Sequence, residues 1–224
     1  MGAGLALKRG RAQHAVKRVA DPILALLALV LLAPLFLVLA ALIVIESGRP
    51  VFFVYPRAGK DGRPFLMFKF RTMIEGAIQA GRELGLSEDP FGVVERDPRV
   101  TRIGRWLRRT GLDELPQLGN VLRFEMSLVG PRADLVEQAA NYTARERRRL
   151  DVLPGITGWA QIHGRDRVSW TERFDMDLWY LDNWSLWLDL KIILGTLREL
   201  WRPDQAPIED KVNIERARAA ERRQ

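Results

Sequence analysis

The sequence predicts an α+β fold that is mostly helical: a proline-broken membrane helix, a small β-hairpin and amphipathic helices. Three observations predict it. Pro22 to Ile45 runs without a charge or a hydroxyl. Val51–Tyr55 and Phe65–Phe70 are rich in strand formers and flank the turn residues Gly59, Asp61, Gly62 and Pro64. Beyond them, apolar residues recur at helical spacing between arginines and tryptophans.

The apolar segment comes first. As one straight helix its 24 residues would rise about 36 Å, more than the ~30 Å hydrocarbon core of a bilayer. Pro34 stands near its middle, where a kink or break is expected, and either half alone is too short to cross. Lys8, Arg9, Arg11, Lys17 and Arg18 precede it; Arg49, Arg57, Lys60, Arg63, Lys69 and Arg71 follow. The positive-inside rule puts both flanks on the cytoplasmic side, which favours a helix that enters, bends and returns over a kinked spanning one. No small-residue cleavage site ends the segment, so it is expected to stay in the mature chain.

The remaining elements follow in order. A helix is expected near 73–84, inside a polar stretch, 74–99, that reads as an insert. Thr101–Arg109 has helical spacing and Gly111 as its stop. A helix is predicted from Asp113 toward Arg123, and a charged one over Glu137–Leu150. Trp184–Trp201 is amphipathic and suits either the headgroup layer or an ordinary core. The organisation is then a basic segment 1–21, a membrane helix 22–45, a domain 46–202 and a charged tail 203–224.

Composition narrows the chemistry. Thirty-five Lys and Arg against 28 Asp and Glu give a net charge of +7, with a pI near 10.2. Phosphates, nucleic acid or anionic lipid are the natural partners of such a chain. The arginines sit beside the apolar segment, which argues against nucleic acid. There is no cysteine, which excludes disulfides, thiol nucleophiles, iron–sulfur clusters and Cys-based zinc sites. Two distant histidines, His14 and His163, leave carboxylates as the ligands of any metal. Walker, GxGxxG and GxSxG motifs are absent, so P-loop, Rossmann and serine-hydrolase chemistry have no support.

Asp113–Glu114, in RRTGLDELPQLGNVL, is the positive candidate. Adjacent carboxylates among arginines can bind Mg²⁺ or act as nucleophile and acid/base. They also suit a helix start, with Asp as N-cap and Glu in the first turn, and the two readings are compatible. SLVGPRAD carries Arg132 on a turn, and KFRTM carries Lys69 and Arg71; such cations can clamp a diphosphate. PGITGWAQIHGR reads as a structured loop containing Gln161 and ending in Arg165.

Taken together, KRVAD, the Pro-interrupted apolar segment, KFRTM, LDELPQLGNVL, EMSLVGPR, PGITGWAQ and SLWLDLKII resemble the bacterial sugar transferase family, the small monotopic phosphoglycosyl transferases. The resemblance runs from Lys17 to about Leu200. It implies a re-entrant helix and a catalytic domain on the cytoplasmic face of the bacterial inner membrane. It also implies transfer of a sugar 1-phosphate from a UDP-sugar to polyprenyl phosphate, with release of UMP, in a surface-glycan pathway. Asp113 would attack the β-phosphate and hold a covalent phosphosugar. Glu114 would assist as acid/base or metal ligand, with Mg²⁺ on Asp113 and Glu114. Lys69, Arg71, Arg108, Arg132, Gln161 and Arg165 would contact substrate, and downstream glycosyltransferases are further expected partners. The chain departs from the family pattern at Ala33, Phe124, Glu125, Ala133 and Leu153. A membrane-anchored scaffold without activity and a UDP-releasing glycosyltransferase are the competing readings, and the released nucleotide separates them.

Overall fold

A computed structural model describes residues 2–83, 97–163 and 169–200, with the side chains of 2–11, 82, 199 and 200 outside that description. The charged tail 203–224, residues 84–96 of the 74–99 insert, Trp201 and Arg165 therefore lie outside the described residues.

Helix α1 spans Gly2–Ser47 and contains both Pro22 and Pro34. The expected break at Pro34 is not a break in secondary structure. Proline removes one hydrogen bond, and a long apolar helix tolerates that loss when its neighbours hold both sides. Residues 2–21 of the basic segment lie within α1. Among the described residues α1 is the one helix long and apolar enough to cross a membrane, and most of that surface is not covered by the protein.

One stripe of α1 is covered. Ala25, Ala28 and Leu29 pack with Met67, Leu118, Val121 and Met126. Further along, Leu35, Phe36, Leu39 and Ile43 pack with Phe70, Ile103 and Leu107. Polar contacts hold the two ends. Lys17 Nζ meets Asp189 Oδ2 at 2.6 Å, and Ser127 Oγ donates to Asp21 at 2.5 Å. At the other end Glu46 accepts from the amides of Arg102 and Ile103 at 2.7 and 2.8 Å.

The hairpin forms as predicted and is longer. Strands β1 (Phe52–Ala58) and β2 (Pro64–Phe70) pair antiparallel, with Phe53 opposite Lys69. Helix α2 covers Ala77–Glu83. Helix α3, Arg102–Thr110, starts on the Thr101 hydroxyl and ends at Gly111 in the left-handed region, matching the predicted start and stop. Gly104 lets α3 press on β2's exit: a Cβ there would lie 2.0 Å from the Thr72 carbonyl oxygen.

Three expectations need correction. The helix predicted from Asp113 is a 3₁₀ turn, Leu112–Gln117, followed by the short helix α4, Leu118–Leu122. Pro116 inside the turn favours its tight geometry over a full α-helix start. The charged helix predicted over 137–150 is divided into α5 (Val136–Ala140), α6 (Ala144–Arg147) and a 3₁₀ turn, Arg148–Asp151. Thr143 restarts the chain with a capping box to Glu146. Finally, SLVGPR and PGITG are not only loops. Strands β3 (Ser127–Val129) and β4 (Gly155–Thr157) form a parallel pair. Gly155 permits it, since a Cβ there would sit 2.1 Å from the Gly130 nitrogen.

Helices α7 (Trp159–His163), α8 (Trp170–Asp182) and α9 (Leu186–Leu200) complete the domain. Helix α9 has one core face and one exposed apolar face. Leu188 and Ile192 are core, whereas Trp187, Leu190, Leu194 and Leu197 form an exposed apolar stripe.

Phe124 follows α4 with φ +58° and is more than half exposed. A left-handed phenylalanine costs about 1–2 kcal/mol, partly offset by the extra unfolded-state freedom of glycine. Phe124→Gly should raise unfolding free energy by about 0.5–1 kcal/mol, read as a higher melting temperature in detergent. An unchanged or lower value would contradict the strain.

Candidate active site

Three segments converge on Asp113 and Glu114. Strand β2 supplies Lys69, whose Nζ lies 2.9 Å from Glu114 Oε1 and 3.6 Å from Asp113 Oδ2. The loop after β3 supplies Arg132, whose Nη2 lies 2.7 Å from the same Glu114 oxygen. Helix α3 supplies Arg108, which donates from Nε to Thr72 Oγ1 at 2.8 Å and acts on Asp113 by charge. All three carboxylate neighbours are cations, and Asp113 and Lys69 are buried.

The two acids are in opposite electrostatic states. Burial pushes the Asp113 carboxyl above the ordinary aspartate range, and the Glu114 charge adds to it against Lys69, Arg108 and Arg132. Burial also acts on Glu114, but the charges of Arg132 and Lys69 and their hydrogen bonds outweigh it and hold Glu114 well below the usual carboxylate range. Glu114 is thus a fixed anion that orients the cations. Asp113 is a more basic, less committed carboxylate beside them.

Asp113 is not an N-cap, and Gly111, the residue preceding the turn, makes no side-chain cap. Arg71 is not gathered with the pair. Its guanidinium caps the end of α1, donating to the carbonyls of Ser47 at 2.7 Å, Gly48 at 2.5 Å and Arg49 at 3.1 Å. Gln161 lies on α7 with both amide atoms buried and without a hydrogen-bond partner. It sits under Gly158, where a Cβ would be 2.7 Å from Gln161 Oε1 and 2.3 Å from the Gly130 carbonyl oxygen. That places Gln161 beside the loop bearing Arg132.

Other supporting residues had no sequence signal. Asn120, fully buried, accepts from the Phe68 amide at 3.0 Å and donates to Leu66 O and Glu125 at 2.7 Å each. It fixes β2 against α4 and so sets Lys69. Arg149 is a buried hub: it bridges Asp134 and Asp177, contacts Tyr142 and donates to the Arg132 carbonyl at 3.1 Å.

Among the described residues no group of three or more His, Asp or Glu could hold a metal by itself. Two adjacent carboxylates do match how Mg²⁺ is held beside substrate phosphates, with one or two carboxylates and the remaining ligands from phosphate and water.

The fold and site define a membrane-associated domain with one acidic pair set among cations. Comparison with known proteins names the class: residues 12–203 match the bacterial sugar transferase model, and the chain belongs to that family. It is 42% identical over 185 residues to the uncharacterized sugar transferase EpsL of Bacillus subtilis, covering 83% of this chain and 87% of that one. It is 44% identical to the undecaprenyl-phosphate glucose phosphotransferase of Komagataeibacter xylinus, over 81% of this chain and 35% of that protein. Identity to the undecaprenyl-phosphate galactose phosphotransferase of Salmonella typhimurium is 36%, over 88% of this chain and 42% of that one. The chain therefore spans less than half the length of these two phosphotransferases.

Proposed function

We propose that this chain is a phosphoglycosyl transferase that moves a sugar 1-phosphate from a UDP-sugar to polyprenyl phosphate and releases UMP. The observation that carries the reading is the buried Asp113 carboxylate 3.6 Å from Lys69, beside a Glu114 anion that Lys69 and Arg132 share. The substrate class rests on the relatives named as undecaprenyl-phosphate sugar phosphotransferases.

In the first displacement an Asp113 oxygen forms a bond to the β-phosphorus. The bond from that phosphorus to the oxygen bridging the α-phosphate breaks, and UMP leaves with its electron pair. In the second, an oxygen of the lipid phosphate attacks the same phosphorus and the carboxylate returns as leaving group. The acceptor is already an anion, so no proton must be removed. Splitting the transfer lets a soluble donor and a membrane-held acceptor use the site in turn. Lys69, Arg108 and Arg132 draw charge from the phosphoryl oxygens, which otherwise repel an anionic nucleophile. Glu114, with Asp113, would hold Mg²⁺ beside the donor phosphates, and the ion when bound supplies charge neutralisation of the diphosphate. The unpartnered Gln161 amide would bind a polar group of the donor.

A same-side arrangement of α1 is part of the proposal. Both ends of the apolar stretch are tied by charged contacts to one domain, at Lys17–Asp189 and at Glu46–Arg102. A straight crossing would carry one of those ends, and the polar groups it binds, through hydrocarbon. The exposed residues Val30, Leu31 and Leu37 on either side of Pro34 would enter one leaflet from the cytoplasmic face of the inner membrane. The chain has no cysteine, so single cysteines near residues 10 and 60 report directly. Both should label from the cytoplasmic side alone, and opposite-side labelling would mean a spanning helix.

The test of the reaction is nucleotide release from the full chain in detergent with Mg²⁺, polyprenyl phosphate and a panel of UDP-sugars. The expected product is lipid-dependent UMP with one donor. Lipid-dependent UDP would overturn the mechanism, and silence with every donor would favour a scaffold.

A further inference from the structure

Helix α3 has two unlike faces. Ile103 and Leu107 pack on α1 among Leu35, Phe36, Leu39 and Ile43, and Gly104 lies against Thr72. The opposite side carries Arg102, Arg105, Trp106 and Arg109, all exposed. These positions are spaced i, i+3, i+4 and i+7, so they share one face within about 100° of arc. Trp106 is 46% exposed. No acidic residue occurs anywhere in α3.

The position of this face is fixed by α1. Glu46, one residue past the apolar stretch, receives the first amides of α3 at 2.7 and 2.8 Å. Beside it Ile45 is 82% exposed. The helix is therefore strapped to the point where the apolar segment leaves lipid, the level of the phospholipid headgroups. A tryptophan suits that level because its ring is apolar and its N–H is wet. Around it stand three guanidiniums, whose planar donor groups match phosphate oxygens; Arg105 also donates from Nη1 to the Val100 carbonyl at 3.0 Å.

We propose that the Arg102–Arg105–Trp106–Arg109 face docks on anionic phospholipid headgroups of the bilayer, apart from the acceptor and the donor. The proposal rests on the same-side membrane reading given above. Helix α3 then serves twice, because the helix that aims Arg108 toward the acidic pair also sets the height of the site against the headgroup layer. Each arginine near an anionic surface is worth about a fivefold change in association, and the effect fades beyond the Debye length as salt rises.

The experiment uses the full chain in phosphatidylcholine nanodiscs with an increasing fraction of phosphatidylglycerol, at a fixed level of polyprenyl phosphate. The wild-type rate should rise about tenfold and lose the rise at high salt. The triple variant R102Q/R105Q/R109Q should respond less than about twofold, with an unchanged melting temperature and an unchanged rate in neutral nanodiscs. The charge-matched variant R145Q/R147Q/R148Q, on α6 and the turn after it, should respond as wild type. A second readout needs no activity: the fluorescence difference between wild type and Trp106→Phe should be quenched by headgroup-proximal brominated phosphatidylglycerol, and not in the triple variant.

A triple variant that keeps the full rise would overturn the proposal, as would a Trp106 signal untouched by the quencher. So would a raised KM for the acceptor in neutral nanodiscs, which would mean that these arginines bind the lipid phosphate substrate. Absence of activity in every nanodisc would instead contradict the transferase reading, and the quenching result would still decide the docking.

Discussion

Asp113→Asn lowers turnover by about ten-thousand-fold or more, since it removes the nucleophile and with it the covalent route. It does so without unfolding the chain. Burial raises the Asp113 pKa above the ordinary aspartate value, so the folded chain binds that proton more tightly than the unfolded chain does. Ionising Asp113 therefore costs stability as pH rises above the ordinary aspartate range, and a neutral asparagine avoids that cost. The melting temperature of Asp113→Asn should match or exceed wild type. Glu114→Gln behaves in the opposite sense. Its lowered pKa means that its charge contributes stability above the ordinary glutamate range, lost only as pH falls through the depressed folded value. Removing that charge weakens the contacts that Lys69 and Arg132 make with Glu114 and should cost about 1–3 kcal/mol. Rates and melting curves of the two variants, measured side by side, check the assignment. Full turnover by Asp113→Asn would end it.

The second large effect is remote from the acidic pair. Arg149→Met should cost about 3–5 kcal/mol, because it leaves Asp134 and Asp177 buried without their shared cation. Arg149 also donates to the Arg132 carbonyl at 3.1 Å, so the loop that delivers Arg132 to Glu114 loosens with it. Arg149→Lys restores the charge but not the planar fork that reaches Asp134, Asp177, Tyr142 and Arg132 at once. It should recover stability only in part and still show a reduced kcat. Asp177 is the weaker partner, since burial raises its pKa despite Arg149, whereas Arg149 and Tyr142 hold Asp134 low against the same burial. Asp177→Asn should accordingly cost less than Asp134→Asn in chemical or thermal unfolding. Equal or reversed costs would contradict this division of the charge.

The local signals and the non-local ones were legible to different degrees. Thr101, Gly111 and the spacing of Ile103 and Leu107 determine α3 within its own residues, and the hairpin turn around Gly62 lies between its two strands. Those elements were readable because neighbours in sequence are their partners. Pairing of β3 with β4 joins residues almost thirty apart, and three-residue strands carry no usable period. Arg149 lies in ARERRRL, which reads as a solvated charged helix. Only the tertiary fold shows that one of its arginines is buried between two aspartates. In the site, Lys69 and Arg132 were legible from motif, and the structure brings them to Glu114. Arg71 shares the KFRTM motif with Lys69, but two residues further along it has left β2, and its guanidinium caps α1 instead. The same limit explains Asp113: the favourable cap chemistry of Asp–Glu was plain, whereas the tight turn around Pro116 and the approach of Lys69 to Asp113 were not.

The central claim is that Asp113 carries the phosphosugar between donor and acceptor. The most direct measurement is a single-turnover incubation of wild-type chain with the active UDP-sugar and Mg²⁺, without lipid acceptor, followed by peptide mapping. The account predicts UMP in proportion to enzyme and a phosphosugar on the peptide containing Asp113, discharged when polyprenyl phosphate is added. UMP that appears only after the acceptor is present, or an adduct on another residue, would contradict it.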